Sequence, residues 1–342
     1  MNEKNERIVL DVAFQPQIRT TRDTRSLMLD VIIALLPVLA VAVWQFGTKP
    51  LLIVACSVAA CVFFEWGYRK LLHKEASIGD LSAVVTGMLL GLSMPSAASW
   101  WMPVVGGFFA IVVVKQLYGG IGKNFLNPAL AGRAFLLSSY SLAMSNWTVP
   151  NSLKGVVDGV SMATPLSYLY SDAAMPKYFS FESLFLGNTP GSMGEVSSLI
   201  LLAACVYLIA RKVITWRIPV SFVGTVGLLT LIFGHNGDHA AFALYNMLSG
   251  ALLLTAVFMA TDYSTSPVTK NGQLLYGFGC GALTVLIRYF GGFPEGTTYA
   301  ILIMNLCSWA IDKGFHRHQF GVSKEDIAQE KTQKKAAKEA AK

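Results

Sequence analysis

The chain alternates between long apolar runs and short polar connections. Ten runs approach the roughly 20 mostly apolar residues that an α-helix needs to cross a bilayer. Several of them contain Gly, Ser and Thr, which let membrane helices approach closely. We therefore predict an all-α polytopic membrane protein with about ten transmembrane helices. The predicted spans are residues 27–46, 50–67, 80–97, 101–117, 127–145, 195–213, 217–234, 240–261, 272–289 and 296–312.

Composition agrees with this pattern. Of the 342 residues, 54% are hydrophobic and only 14% are charged, and the mean hydropathy is +0.51. Soluble domains have about 25% charged residues. A water-soluble fold of this size, such as a large helical bundle, could not cover its surface with so few charges. Membrane lipid is therefore the expected neighbour of most of the surface.

The distribution of positive charge predicts the orientation in the membrane. If both termini are cytoplasmic, most of the 27 Lys and Arg residues lie on the inner side, while Lys49, Lys154, Lys177 and Arg288 lie outside and Arg133 lies within a span. Cytoplasmic loops carry such an excess of positive charge. The prediction is a membrane protein whose longest connection, about 147–194, lies on the outer side. The net charge of +7 is then an orientation signal, and nucleic acid is not an expected partner.

The two halves of the chain resemble each other. Residues 86–90 read TGMLL and residues 249–253 read SGALL, and a Gly-Gly pair follows one span later at 119–120 and at 291–292. Each half has five spans, an odd number, so the second half would be inverted relative to the first. Gly-rich turns alone would give a similar pattern. The predicted organisation is a cytoplasmic segment 1–26, a transmembrane domain 27–314 (repeat one 27–146, outer loop 147–194, repeat two 195–314) and a basic cytoplasmic tail 315–342.

The five cysteines do not form a metal-binding pattern. No two of them make a Cys-x-x-Cys, and all lie inside apolar runs. We expect small buried side chains and no metal site in this chain, with a cluster shared between different chains of an assembly left as the alternative. No catalytic residue is assigned.

The outer connection contains a motif with specific chemistry. Residues 158–164 read DGVSMAT, a pattern that resembles the flavinylation motif of the D subunits of the Rnf complexes and of their relatives, the B subunits of the sodium-pumping NADH:quinone oxidoreductases. In that family a flavin transferase joins FMN through its phosphate to a threonine. The resemblance places this ester at Thr164, with Asp158, Gly159, Ser161 and Ala163 as the rest of the motif. Small neighbours would let a transferase reach an exposed hydroxyl on a pliable loop, although a polar loop or a helix cap fits the bare pattern too.

A second stretch resembles the same proteins. Residues 119–135 read GGIGKNFLNPALAGRAF at the predicted inner turn between spans four and five. The family is associated with a second, noncovalent flavin, usually riboflavin. We place it near the amides of Asn124 and Asn127, and Arg133 could pair with an anionic flavin or with a carboxylate. The alternative for the Asn-Pro pair is an ordinary helix start.

The resemblance covers about residues 25–313 and implies a function. It implies a membrane electron-transfer component of an Rnf-type complex that couples electron transfer between ferredoxin and NAD to Na⁺ or H⁺ translocation. Its partners would be the other membrane, flavin-bearing and iron–sulfur subunits together with the flavin transferase, and this chain alone would not complete a catalytic cycle. Ten spans in inverted repeats equally fit a channel or secondary transporter. A membrane anchor for redox partners would carry no flavin.

Overall fold

The computed structural model describes residues 23–74, 77–153, 161–171, 176, 178–195, 197–234, 238–291 and 296–315. Within these ranges the chain is helical, and the only strand-like pairing is a single bridge between Thr148 and Ser161. The all-α prediction is thereby confirmed. In chain order the helices are α1 (Thr24–Phe46), α2 (Lys49–Leu71), α3 (Ser82–Leu92), α4 (Met102–Phe108, continued as a π-helix over Phe109–Gln116), α5 (Pro128–Ser139), α6 (Ser141–Met144), α7 (Pro165–Leu169), α8 (Phe181–Leu186), α9 (Ser198–Ala210), α10 (Arg217–Ile232), α11 (His239–Leu248), α12 (Leu252–Leu254, continued as a π-helix over Thr255–Met259), α13 (Lys270–Phe290) and α14 (Thr297–Gly314).

Helices lie at all ten places where the sequence predicts a span. By length and composition, α1 and α2 could each cross a membrane, and the pair formed by α11 and α12 with its π-helical extension would be a third span with a bend of 57°. Helices α3, α4 with its π-helical extension, α9 and α10 are apolar but shorter. These findings support a multi-pass membrane protein. The count of ten crossings, the inverted repeat and the cytoplasmic termini stay predictions.

Close helix packing depends on glycine. A Cβ atom added to Gly87 in α3 would lie 2.6 Å from Val58 Cα in α2, and one added to Gly281 in α13 would lie 2.6 Å from Thr225 Cβ in α10. Lipid tails are as apolar as leucine, so membrane helices gain little by burying apolar surface against each other. The van der Waals contacts formed where small residues let two helix backbones approach closely stabilise the packing instead.

Breaks after α3 and after α11 interrupt two of the predicted spans, and Tyr140 separates α5 from α6 within a third. Helix α3 ends at Leu92, short of the predicted end at residue 97, and the chain leaves the helix just before Pro95. Backbone N–H groups from the outer connection reach this end, because Gly194 N donates to Leu92 O at 2.7 Å and Met193 N donates to Met94 O at 3.1 Å. The second break separates α11 from α12 at Gly250, whose φ is +73°. The outer connection therefore packs into the helical domain.

Candidate functional site

Thr164 is the cap of a short helix and is buried. Its residue surface is 6% exposed, and its Oγ1 accepts a hydrogen bond from Ser167 N at 3.3 Å and lies 3.1 Å from Ser167 Oγ. The expectation of an exposed hydroxyl on a pliable loop was wrong, and the alternative of a helix cap is confirmed. Threonine followed by Pro165 is a favourable helix start, since the threonine oxygen caps the first turn and proline needs no hydrogen-bond partner there.

The described part of the motif borders a polar pocket. Ser161 pairs with Thr148, and Met162 N donates to Trp147 O at 3.1 Å, so residues 161–163 lie beside residues 145–148. Asp158 and Gly159 lie outside the described residues. The structure thus brings Ser161 and Ala163 together at one pocket, next to the cap of α7. The described residues that line it are Ser145, Asn146, Trp147, Ser161, Met162, Ala163 and Ser167.

A buried polar cluster fixes α7 to the second half of the chain. Tyr170 donates to Asn246 Oδ1 at 2.7 Å, and the guanidinium of Arg288 donates to Asn246 O at 2.9 Å and to Asn246 Oδ1 at 3.1 Å. Burial raises the pKa of Tyr170 to about 12, so this hydroxyl stays protonated and remains a donor at neutral pH. The helix that carries Thr164 is therefore linked to α11 and α13, a connection that the sequence analysis did not identify.

Asn124 and Asn127 line one cavity at the opposite end of the fold. Asn127 Oδ1 accepts from Ala129 N and Leu130 N at 3.0 and 3.2 Å, and its Nδ2 donates to Met259 O at 3.1 Å. The helix-start interpretation of this asparagine is thereby confirmed. Asn124 Nδ2 donates to Leu126 O at 3.0 Å. Arg133 is 1% exposed and is not among the described residues that line this cavity.

The cavity itself is small, and both polar and apolar side chains line it. Its volume is about 90 Å³, and Phe258, Lys115 and Asp262 lie in its wall with the two asparagines. Ligand pockets usually measure about 300–1,000 Å³. The polar groups suit the edge of a flavin ring, but a tricyclic ring would fit only if the wall moved outward.

A buried ion pair stands beside this cavity. Lys115 Nζ lies 2.7 Å from Glu65 Oε2 and donates to Ser82 Oγ at 2.6 Å. The lysine side chain is 3% exposed and the glutamate side chain is fully buried. The sequence analysis assigned neither residue to a site, because each lies near the end of an apolar run where long side chains commonly reach the membrane surface.

Comparison with known proteins identifies the family. Residues 11–321 match the NQR2, RnfD, RnfE family. The chain belongs to this family. The D subunit of the Na⁺-translocating ferredoxin:NAD⁺ oxidoreductase complex of Acetobacterium woodii is 44% identical over 95% of this chain and 98% of its own length. The D subunit of the proton-translocating ferredoxin:NAD⁺ oxidoreductase complex of Clostridium ljungdahlii is 38% identical over 92% and 96%. The D subunit of the ion-translocating oxidoreductase complex of Shewanella amazonensis is 37% identical over 88% and 95%.

Membership of the NQR2, RnfD, RnfE family confirms the resemblance drawn from the motifs at 119–135 and 158–164. The match of residues 11–321 leaves only part of the basic tail and the first ten residues outside the family region. Within the described ranges, no group of three or more His, Cys, Asp or Glu side chains could hold a metal ion. The two places with a chemical interpretation are therefore the pocket beside Thr164 and the cavity beside Asn124.

Proposed function

We propose that this chain is the D subunit of an ion-translocating oxidoreductase complex and that it carries FMN in ester linkage at Thr164. The complex would couple electron transfer between ferredoxin and NAD to the translocation of Na⁺ or H⁺ across the bacterial inner membrane. Support comes from the near full-length similarity to such proteins and from the flavinylation motif at residues 158–164. Ferredoxin, NAD and iron–sulfur clusters would be bound by partner subunits.

The residues around Thr164 fit a phosphate ester. The hydroxyl oxygen lies 3.1 Å from Ser167 Oγ, and Ser167 also lines the pocket that contains Ser145, Asn146 and Ser161, whose side chains carry hydroxyl and amide donors. Ester formation would join Thr164 Oγ1 to the phosphorus of a flavin nucleotide activated as a phosphoanhydride. The anhydride P–O bond breaks, a nucleoside monophosphate leaves, and the threonine proton passes to a base of the transferase.

The burial of Thr164 has a consequence for this transfer. Because Oγ1 is held by Ser167, a transferase can reach it only when the first turn of α7 opens. We propose that the transferase acts on this open segment and that α7 closes afterwards. The flavin supplies one- and two-electron redox chemistry, and the chain supplies its position on the outer side of the membrane.

The cavity beside Asn124 is our proposed site for a second, noncovalent flavin. Asn124 and Asn127 place amide groups in its wall, and Lys115 places there an ammonium group that is paired with Glu65. A flavin edge would have to share or replace the bonds that these groups make within the chain. Since the cavity holds only about 90 Å³, binding would require Phe258 and its neighbours to move. Extraction of the purified, unmodified complex with denaturant, followed by chromatography, tests this proposal, because no release of riboflavin from intact complex would overturn it.

The covalent site is tested by a variant that preserves the helix cap. Thr164→Asn keeps a side-chain oxygen for the Ser167 N–H, and asparagine is among the best capping residues, but it removes the hydroxyl. Thr189 is a matched control, because it also precedes a proline in the outer connection. The full chain and each variant are co-expressed with a flavin transferase, denatured, and examined by in-gel flavin fluorescence and intact mass.

We expect a fluorescent band, heavier by one FMN adduct, for the unmodified chain and for Thr189→Asn, and a dark band for Thr164→Asn. A dark unmodified chain beside a labelled positive control would overturn the covalent site. That outcome would favour the channel, transporter or anchor interpretation, none of which requires a flavin.

A further inference from the structure

The hydrogen bonds around Thr164 have a definite direction. Ser167 Oγ donates its single proton to Thr164 O at 2.8 Å. In the 3.1 Å contact between the two hydroxyl oxygens, the donor is therefore Thr164 and the acceptor is Ser167. The Ser167 N–H completes the arrangement by donating to Thr164 Oγ1 at 3.3 Å. Ser167 thus holds Thr164 through both its backbone and its side chain.

Attachment of a phosphate at Thr164 would change this arrangement in one respect. The ester oxygen can still accept from Ser167 N, but it has lost the proton that it donated to Ser167 Oγ. That proton is replaced by a phosphorus atom bonded to Thr164 Oγ1, which lies 3.1 Å from Ser167 Oγ. The two non-bridging oxygens of this phosphodiester share one negative charge. A hydroxyl bonded to a charged oxygen makes a hydrogen bond roughly twice as strong as one to a neutral oxygen.

We propose that Ser167 is the positioning residue for the flavin phosphate: its hydroxyl turns from Thr164 O to a phosphate oxygen after the ester forms. This inference rests on the proposed function, namely on FMN at Thr164. The result is a tether fixed at two points, the ester bond and the hydrogen bond from Ser167. The attached flavin is thereby directed into the pocket beside Trp147 and Met162 and does not swing freely above α7.

The other polar groups of the pocket are less suited to this role. Among the described residues that line it, the hydrogen-bonding side chains are neutral: Ser145, Asn146, Trp147, Ser161 and Ser167. Ser145 and Ser161 are exposed, whereas Ser167 is partly buried. Ser167 also belongs to the same helical turn as Thr164, so the two side chains meet again when α7 closes after the transfer.

The test compares two serines that make the same local bond. Ser167 Oγ donates to Thr164 O, and Ser171 Oγ donates to Tyr168 O at 3.2 Å, so each bonds the carbonyl three residues earlier. Ser167→Ala, Ser167→Thr and Ser171→Ala are made in the full chain and co-expressed with a flavin transferase. Flavin load is measured by intact mass. The anisotropy of flavin fluorescence and the rate of flavin release by a phosphodiesterase are measured in detergent micelles, and Thr164→Asn provides the background of noncovalent flavin.

We expect all three variants to carry covalent flavin, and Ser167→Ala to be labelled at least as readily as the unmodified chain, because its side chain no longer holds Thr164 Oγ1. Ser167→Ala alone should lose anisotropy and release flavin several-fold faster, while Ser167→Thr, which keeps the hydroxyl, should behave like the unmodified chain. Equal anisotropy and release rates in Ser167→Ala and Ser171→Ala would overturn the role of Ser167. Loss of flavin load in Ser167→Ala would also overturn it, because it would assign the hydroxyl to the transfer step. An unmodified chain without covalent flavin would instead refute the proposed function.

Discussion

At the scale of single residues, the pair Lys115–Glu65 shows how a charge is tolerated in the apolar part of the chain. Both side chains are almost fully removed from solvent, and each has an additional hydroxyl partner, Ser82 for the lysine and Ser77 for the glutamate. Removing two charges from water is costly, and their mutual attraction offsets this only with good geometry and further hydrogen bonds. The 2.7 Å contact and the two serines meet these conditions.

This arrangement predicts a large effect when one charge is removed alone. Glu65→Gln leaves Lys115 charged and buried without its counter-ion, and breaking such a pair typically costs about 3–5 kcal/mol. We expect a clear fall in the thermal unfolding temperature of the chain in detergent. A double variant, Glu65→Leu with Lys115→Met, should recover a large part of the loss, because no buried charge remains. Equal unfolding temperatures for Glu65→Gln and the unmodified chain would contradict the buried pair.

A second ion pair, between Asp30 and Arg211, provides the control for the Glu65→Gln variant. Asp30 accepts from Arg211 at 3.1 Å, but the arginine side chain is 51% exposed. When Asp30→Asn removes the carboxylate charge, water can solvate the guanidinium that remains, so we expect a smaller loss of thermal stability than for Glu65→Gln. The comparison separates the effect of burial from the effect of deleting a carboxylate charge.

At the scale of helices, the contact between α2 and α3 depends on the absence of a side chain at Gly87. A Cβ atom there would lie 2.6 Å from Val58 Cα and 2.9 Å from Val58 N, so backbone atoms would have to move apart. Gly87→Ala should therefore destabilise the chain by about 1–3 kcal/mol, the usual range for overpacking. The change is measured by thermal unfolding in detergent.

Gly67 in α2 is the matched control for Gly87. No atom lies within 4 Å of a Cβ added at Gly67, and alanine is favoured over glycine inside a helix by roughly 0.5–1 kcal/mol. Gly67→Ala should leave the unfolding temperature unchanged or raise it. If both alanine variants lowered it equally, helix flexibility and not close packing would explain the role of Gly87.

The same elements show how far the sequence predicts the fold. Apolar runs located all ten predicted helices, because lipid and protein interior select the same residue types. Residues just beyond a helix end inside the domain are also apolar, so the runs could not show where the helix stops. Pro95 marked the end of α3 and Gly250 the break before α12, but each residue type also occurs within intact membrane helices. The contact of Gly194 with Leu92 joins residues about a hundred positions apart, and no local pattern predicts it.

At the scale of the whole molecule, the two sites differ in what the sequence could reveal. The motif at 158–164 predicts Thr164 as the flavin acceptor, because an ester bond requires one particular side chain. The sequence also allowed the alternative of a helix cap at Thr164, which the structure confirms, but no local pattern predicted that the threonine is buried. The pairing of Lys115 with Glu65 could not be predicted from the sequence, since it depends on how α2 packs against the π-helical part of α4. Local motifs therefore predict candidate reactive groups, whereas the electrostatic environment of a site depends on the folded chain.

Orientation in the membrane leads to the last prediction. Lys49 at the start of α2 and Lys270 at the start of α13 are both exposed, yet the charge distribution places Lys49 outside and Lys270 inside. With a membrane-impermeant maleimide, Lys49→Cys should be labelled in intact cells, and Lys270→Cys only after permeabilisation. The unmodified chain gives the background from the five native cysteines. Labelling of both cysteines in intact cells would contradict the predicted topology. The reverse pattern would place the connection that carries Thr164 on the cytoplasmic side, away from the proposed periplasmic site of the flavin.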